Sequence, residues 1–208
     1  MSRELPILFN AEMVRAILAG KKTCTRRLPN GCVREKYFEY DDWANTVGGS
    51  GIKKLRGKEF YEQYPPYQPG DILYVRETWH KAYNGEKYFY LADKMTNRED
   101  RKLLDYNNVK WHPSIHMPKE AARIWLKVTD VRVERLQDID GKGCVKEGIK
   151  EELLKDVGEE FVKGMYHDLW DSTIKKSDID RYGWKANPWV WVIEFERCDK
   201  EGRVVDGR

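Results

Sequence analysis

Residues 6–27 read PILFNAEMVRAILAGKKTCTRR, and the order of signals in this stretch decides the fold class. Pro6 to Phe9 is a short apolar run of strand type. Asn10 is a helix cap, and Met13, Val14, Ile17 and Leu18 follow it one turn apart on a single stripe. Gly20 ends that helix as its C-terminal cap. The basic segment Gly20-Lys21-Lys22-Thr23-Cys24-Thr25-Arg26-Arg27 starts there, and its β-branched Thr23 and Thr25 favour an extended chain. Pro29-Asn30-Gly31 then turns it. From Arg15 to Lys36 there are seven basic residues and one acid, Glu35. Lysine and forked arginine donors suit phosphate or a nucleobase. A solvated charged face is the plainer reading of the same charges. The segment is not a Walker A loop, because the second glycine which that motif requires is absent.

Working outward, residues 32–64 are treated as an insertion, with Tyr37, Phe38, Tyr40 and Trp43 expected in a hairpin and Gly48-Gly49-Ser50-Gly51 as a flexible stretch. Pro65 to Asp71 is a rigid turn. Ile72 to Trp79 is a strand, with Lys87 to Ala92 as its hairpin partner across Asn84-Gly85. Residues 93–110 are mostly polar and form a second expected insertion. Arg123 to Leu136 is the longest strand signal, and its alternation slips between Val128 and Val131, as at a bulge. Asp138 is the expected cap of a short helix ending at Glu147-Gly148. A longer helix is expected over 151–174, with Leu154, Val157, Phe161, Met165 and Leu169 as its buried stripe. Trp189 to Glu196 is the last strand. About six strands and three helices, with strands at both ends, predict an α+β fold: a small closed or nearly closed barrel with helices against it, as one domain over 1–208.

Composition narrows the function classes. Apolar residues are 40% and charged residues 35% of the chain, which is globular rather than disordered. The net charge of +3 gives no general field for polyanions, so any nucleic-acid contact must be local. No apolar run approaches bilayer length, and the first residues lack the apolar core of a signal peptide, so no membrane association is expected. Cys24, Cys32, Cys144 and Cys198 form no CxxC pair and read as reduced thiols, with the cytoplasm as the expected compartment. Oligomeric state is not legible.

Two further features bear on chemistry. His112 and His116 are four apart, but Pro113 and Pro118 argue against a helix there and no acid or cysteine motif accompanies them. No metal and no cofactor is expected, and His116 reads as a structural or ligand-lining side chain. Glu147 breaks a local rule, because an acid at a helix C-terminus faces the negative end of the helix dipole.

The stretches 6–27, PYQPGDILYVRETW (66–79), HPSIHMPKEAARIWLKVTDVRVERLQDI (112–139), CVKEGI (144–149) and YGWKANPWVWVIEF (182–195) together resemble an ASCH domain, a member of the PUA-like barrel superfamily. Within that family the chain more closely resembles the ASCH proteins found in bacteriophages and prophages. The resemblance implies a barrel with a cleft beside its helices and an association with RNA or modified nucleosides. One bacterial branch, of much shorter chains, hydrolyses N4-acetylcytidine with a lysine, a threonine and a glutamate. Aligned on GKKTCTR and CVKEG, those catalytic roles fall on Lys22, Thr25 and Glu147, and Arg27 matches a basic residue of the same site. Lys21, Arg26, Arg27 and His116 are the expected binding residues. The first reading is therefore binding of RNA or a modified nucleobase. The alternatives are an amidohydrolase acting on N-acylated cytidine, a ribonuclease, and a phage assembly or regulatory protein. Geometry adds one condition: in a straight strand residues 22 and 25 point to opposite faces, so the chain must bend or stay helical after Gly20 for them to share a pocket.

Overall fold

A computed structural model of the protein describes residues 2–47, 57–81, 87–93 and 110–205. In chain order the elements are β1 (Glu4–Leu8), α1 (Ala11–Leu18), β2 (Cys24–Arg27), α2 (Gly31–Val47), α3 (Gly57–Tyr61), β3 (Ile72–Arg76), β4 (Trp79–Lys81), β5 (Tyr88–Tyr90), β6 (Trp125–Arg135), α4 (Gly141–Lys146), α5 (Glu151–Val157), α6 (Glu159–Thr173), α7 (Ile179–Tyr182) and β7 (Trp189–Cys198), with short 3-10 turns between them. The class is α+β. The chain divides into two compact units, the first made of Met1–Lys22, Gly70–Lys127 and Glu196–Arg208, the second of Thr23–Pro69 and Val128–Phe195.

In the first unit β1 runs parallel to β3, from Glu4 opposite Ile72 to Leu8 opposite Arg76. The other side of β3 pairs antiparallel with the start of β6. β4 and β5 form a separate antiparallel hairpin. The Asn10 side chain accepts from the Met13 N–H at 2.8 Å, as the sequence predicts, and Val14 and Ile17 are buried. Gly20 adopts φ +69°, the left-handed conformation that closes a Schellman cap: its N–H donates to Ile17, and the Lys21 N–H to Ala16.

In the second unit β2 pairs antiparallel with β7, Cys24 opposite Glu194 and Arg27 opposite Trp191. The rest of β6 lies on the other side of β7, and the Leu136 N–H extends that ladder to the Pro188 carbonyl at 3.0 Å. The hydrogen-bonded order is β1-β3-β6-β7-β2. The expected barrel is thus not closed: β1 and β2 are the two ends of the ladder among the described residues. The chain joins these two edge strands through α1 rather than through a hairpin, so no ladder between them arises locally.

Three local expectations are corrected. The aromatic run after Gly31 is not a hairpin but α2, capped by the Asn30 side chain, which accepts from the Val33 N–H at 2.9 Å. Tyr37 and Tyr40 are three apart, on one helical face, and both rings meet Phe60 of α3 with centroids 5.2 and 5.3 Å away. Asp140, not Asp138, caps α4, accepting from the Gly143 N–H at 2.7 Å. The long helix over 151–174 is two helices, α5 and α6, broken where Gly158 takes φ +84°. That break resets the phase: Val162, Tyr166 and Trp170 are buried, whereas Phe161 is 54% and Val157 49% exposed. Gly48 to Gly51, the Asn84-Gly85 turn and residues 94–109 lie outside the described residues.

The core of the second unit gathers Cys24, Leu136, Ile139, Cys144, Ile149, Val162, Tyr166, Trp170, Val190 and Val192. Among the described residues no helix is long and apolar enough to cross a membrane. The revised phase of α6 is testable by paired substitutions. Trp170→Ala is expected to cost about 3–5 kcal/mol of unfolding free energy, and Phe161→Ala about 0.5 kcal/mol or less. Denaturant titration giving the reverse order would restore the stripe read from the sequence.

Candidate functional site

The site begins at the C-terminal end of a helix. Glu147 is the C-cap residue of α4, and Gly148 follows it with φ +109°. The Gly148 N–H donates to Val145 at 2.8 Å and the Ile149 N–H to Cys144 at 3.2 Å, a Schellman cap. Cys144 and Ile149 both belong to the core, so the cap is anchored on its apolar side. The carbonyl of Lys146 accepts from the Thr23 N–H at 2.9 Å, and the Thr23 carbonyl accepts from the Phe195 N–H at 2.9 Å. The α4 terminus is thereby tied to the start of β2 and to β7.

β2 is covered on both faces: Cys24, Thr25 and Arg26 are all buried. Alternation puts Cys24 and Arg26 on one face, Thr25 and Arg27 on the other. Cys24 lies in the helical core, and Arg26 reaches Glu147 on that side. Arg26 Nη1 donates to Glu147 Oε1 at 3.4 Å and Nη2 to Glu134 Oε2 at 3.3 Å. The Tyr166 hydroxyl donates to the same Glu147 oxygen at 3.3 Å. Arg26 Nε is buried without a hydrogen-bond partner among the described residues. The side chains of Arg26 and Glu147 are only 3% and 4% exposed.

This cluster continues outward as a charge chain. Glu134 accepts from Arg132 at 2.5 Å, Arg132 donates to Glu194 at 2.7 Å and to Asp130 at 2.8 Å, and Glu194 accepts from Lys146 at 3.0 Å. Burial works against the charge of Arg26, but Glu147 and Glu134 more than offset it, so its guanidinium is raised above the ordinary value. Burial pulls Arg27 below its ordinary value, with Glu147 acting the other way. Burial also holds the Tyr166 hydroxyl well above the usual tyrosine range, and Glu147 adds to it. The Cys144 thiol is pushed up to about 11, chiefly by burial.

The structure brings Glu147 and Arg26 together, as the sequence does not reveal, and adds Tyr166 and Glu134. Tyr166 was hidden by the phase assigned to the helix across Gly158, and Glu134 by the slip in β6. Thr25 is in the same unit, on the face of β2 opposite Arg26, and Arg27 is half-buried beside it. Lys22 belongs to the first unit. Its N–H, like that of Lys21, donates to the Ala16 carbonyl just beyond the end of α1, and the strand begins only at Cys24. Lys22 is 2% exposed, and its ammonium lies 5.8 Å from the Phe9 ring centroid. Lys21 is exposed. His116 is exposed on a 3-10 turn, Ser114–His116, of the first unit. Among the described residues no group of three or more His, Cys, Asp or Glu is placed to hold a metal ion.

By fold and site the chain is an α+β protein with a buried arginine–carboxylate–tyrosine cluster at the end of a short helix. Among solved structures it is similar to the ASCH domain from Lactobacillus crispatus JV V101, at 10% identity over 94% of this chain and 79% of that one, with a TM-score of 0.36. A likeness of that degree carries no argument about activity. No family model and no curated protein matches the chain.

The raised groups set a pH dependence. A folded-state pKa above the unfolded one gives stability that is complete below the unfolded pKa and is lost as pH rises toward the folded one. For Cys144 and Tyr166 the loss starts near their ordinary values, roughly 8.5 and 10. Unfolding free energy is expected to fall from about pH 9 upward, and Tyr166→Phe to flatten the part above about pH 10. Denaturant titrations that are flat over this range, or equal in slope for the variant, would contradict the burial assigned to Tyr166.

Proposed function

We propose that the second unit binds a single nucleobase or modified nucleoside of the cytidine type at the Arg26–Glu147–Tyr166 cluster. One observation carries this reading: a guanidinium that is buried, held by Glu147, and left with a donor, Nε, that has no partner among the described residues. A cytosine edge offers acceptors at O2 and N3 beside a donor at N4. An arginine next to a carboxylate offers the complementary pattern, donor beside acceptor. Enzymes and binders that read an extruded base use such contacts to its Watson–Crick edge.

Burial also decides between a base and a phosphate backbone as the thing bound here. Of the cations in the basic segment, Lys22 and Arg26 are 2% and 6% exposed. Inward-facing cations do not track a strand of phosphates, so the several-phosphate contact that the sequence charges invite is disfavoured at this segment. Amidohydrolysis of an N-acylated cytidine stands second. It is favoured by the burial of Thr25 and Glu147, two of the expected catalytic residues, at 2% and 5% exposure, since a water-poor environment strengthens the electrostatics such chemistry uses. It stands below binding because Thr25 is on the opposite face of β2 from the guanidinium that holds Glu147.

Calorimetric titration with cytidine, N4-acetylcytidine and uridine tests the first reading. The cytidine-type ligands are expected to bind with little salt dependence, and Glu147→Gln to weaken them about 10- to 100-fold, the loss of one hydrogen bond to a charged group. Affinity for no nucleoside, or equal affinity for all three, would overturn it. Acetate released from N4-acetylcytidine, and abolished by Lys22→Ala, Thr25→Ala and Glu147→Ala in folded protein, would raise the second reading above the first.

A further inference from the structure

The second unit has a further cluster, on the face of its sheet turned away from Glu147. Alternation along β6 and β7 puts Glu134 and Val190 on the side of Arg26 and the helical core, and Arg135 and Trp189 on the other. There the Arg135 guanidinium lies over the Trp189 ring, 4.1 Å from its centroid. Arg34 of α2 lies in the same way over the ring of Tyr182, the last residue of α7, at 4.5 Å. Both arginines are half-buried. Stacking occupies the face of a guanidinium, whereas its five N–H donors lie at the edge. Arg135 uses one of them, from Nη1 to the Asn187 carbonyl at 2.9 Å. Neither guanidinium is paired with a carboxylate among the described residues.

A tyrosine joins the two. Arg34 and Tyr37 are three apart, on one face of α2, and the Tyr37 ring meets the Tyr61 ring at 5.2 Å and 31°. Gly57, one turn before Tyr61 in α3, lies so close to Trp189 that any side chain there would run into the indole. Tyr61 is 7% exposed, and its hydroxyl has no hydrogen-bond partner among the described residues. Burial raises that hydroxyl above its ordinary value and Tyr37 adds to it, while Arg34 and Arg135 both act the other way. The two guanidinium charges therefore reach the same oxygen.

The acids beside these residues in the sequence do not cancel the charge. Glu134 is on the other side of the sheet, held by Arg26 and Arg132. Glu35 is exposed and stands about 100° further round α2 than Arg34. Asp138 is exposed and accepts from the Arg135 backbone N–H at 3.3 Å. Backbone strain fixes one side of the cluster. Asn187, which holds Arg135, has φ +46° and is the one non-glycine residue with positive φ among the described residues. Such strain persists where the surroundings over-determine it, and functional sites are where it gathers.

We propose that Arg34, Arg135 and Tyr61 form a binding site for a phosphate monoester. Two guanidinium edges without carboxylates call for a dianion, and a monoester carries a charge of roughly −1.5 to −2 near neutral pH. Its three terminal oxygens accept from the two forks and from the tyrosine hydroxyl. A carboxylate would leave one guanidinium uncompensated. The site is on the opposite face of the sheet from the Arg26–Glu147 pair and does not rest on the nucleoside reading. No covalent step is involved.

Calorimetric titration of the full chain with inorganic phosphate, uridine 5′-monophosphate and uridine tests this. The two phosphate ligands are expected to bind and uridine not to. Arg34→Gln and Arg135→Gln are each expected to weaken phosphate binding about 10- to 100-fold, the loss of a hydrogen bond to a charged group, and Tyr61→Phe about tenfold. Tyr61→Phe keeps the ring and its packing, so its effect is read in folded protein even where an arginine variant is unstable. Lys155→Gln removes an exposed cation of the same unit and is expected to change nothing. Sulfate is expected to displace phosphate and acetate not to. Cytidine affinity is expected to stay at the wild-type value in all these variants, which keeps the outcome distinct from that of the nucleoside proposal. A 5′-phosphorylated oligouridylate distinguishes the sources: tighter binding than the mononucleotide assigns the site to a phosphorylated strand end, and weaker binding assigns it to a free nucleotide. Phosphate affinity that is absent, or equal in wild type, Arg34→Gln, Arg135→Gln and Tyr61→Phe, would overturn the proposal. So would acetate competing as well as sulfate.

Discussion

A guanidinium and a carboxylate facing each other out of water constrain everything around them. Arg26 and Glu147 are almost wholly buried, and neither charge is tolerable there alone. Breaking such a pair by removing one partner typically costs about 3–5 kcal/mol, because the remaining charge is left uncompensated. The second unit therefore has to deliver both groups together. It does so with two backbone devices: the Schellman cap that places Glu147 at the end of α4, and the β2–β7 ladder that fixes the side of the sheet from which Arg26 projects. The Lys146 carbonyl, an orphan acceptor at the helix end, is satisfied by Thr23 and locks the two devices to each other.

The same pair explains an apparent fault in the sequence. A glutamate at a helix C-terminus opposes the helix dipole. Here the guanidinium and the Tyr166 hydroxyl compensate it, and Glu134 passes the charge balance outward through Arg132 to Glu194 and Lys146. A buried ionic group of this kind is weak evidence for stability in itself, since well-packed apolar residues often do as well. In the proposed function the pair serves recognition instead, with Arg26 Nε as the spare donor.

Much of the fold was legible, and the reasons for the rest are physical. Asn10, Gly20 and Gly148 announce helix ends through local backbone chemistry, and the structure has caps at all three. The strands around Ile72 and from Trp125 onward and at Trp189 are carried by apolar runs, which is also local information. The errors fall where local signals are ambiguous. Tyr37, Tyr40 and their neighbours fit either period, and only the packing of their rings on Phe60 selects the helix. The stripe over 151–174 runs straight through Gly158, whereas the positive φ there breaks the helix and shifts the buried face to Val162, Tyr166 and Trp170. For the same reason Tyr166 was missed at the site. Closure of the sheet depends on how its two edges meet, which no local pattern encodes. The pairing of Arg26 with Glu147, far apart in sequence, was equally out of reach, although each residue alone drew notice.

The central claim is that Arg26 recognises a base. Its Nε–H proton reports on this directly, because that donor is buried and has no partner among the described residues. The measurement is a nitrogen–proton correlation spectrum of arginine-labelled protein, with the Arg26 Nε signal assigned by loss in Arg26→Lys. On saturation with N4-acetylcytidine or cytidine, the account predicts that this one signal moves downfield and exchanges more slowly with solvent, as a new acceptor engages it. An Arg26 Nε signal unchanged in position and exchange rate at saturating nucleoside would contradict the account.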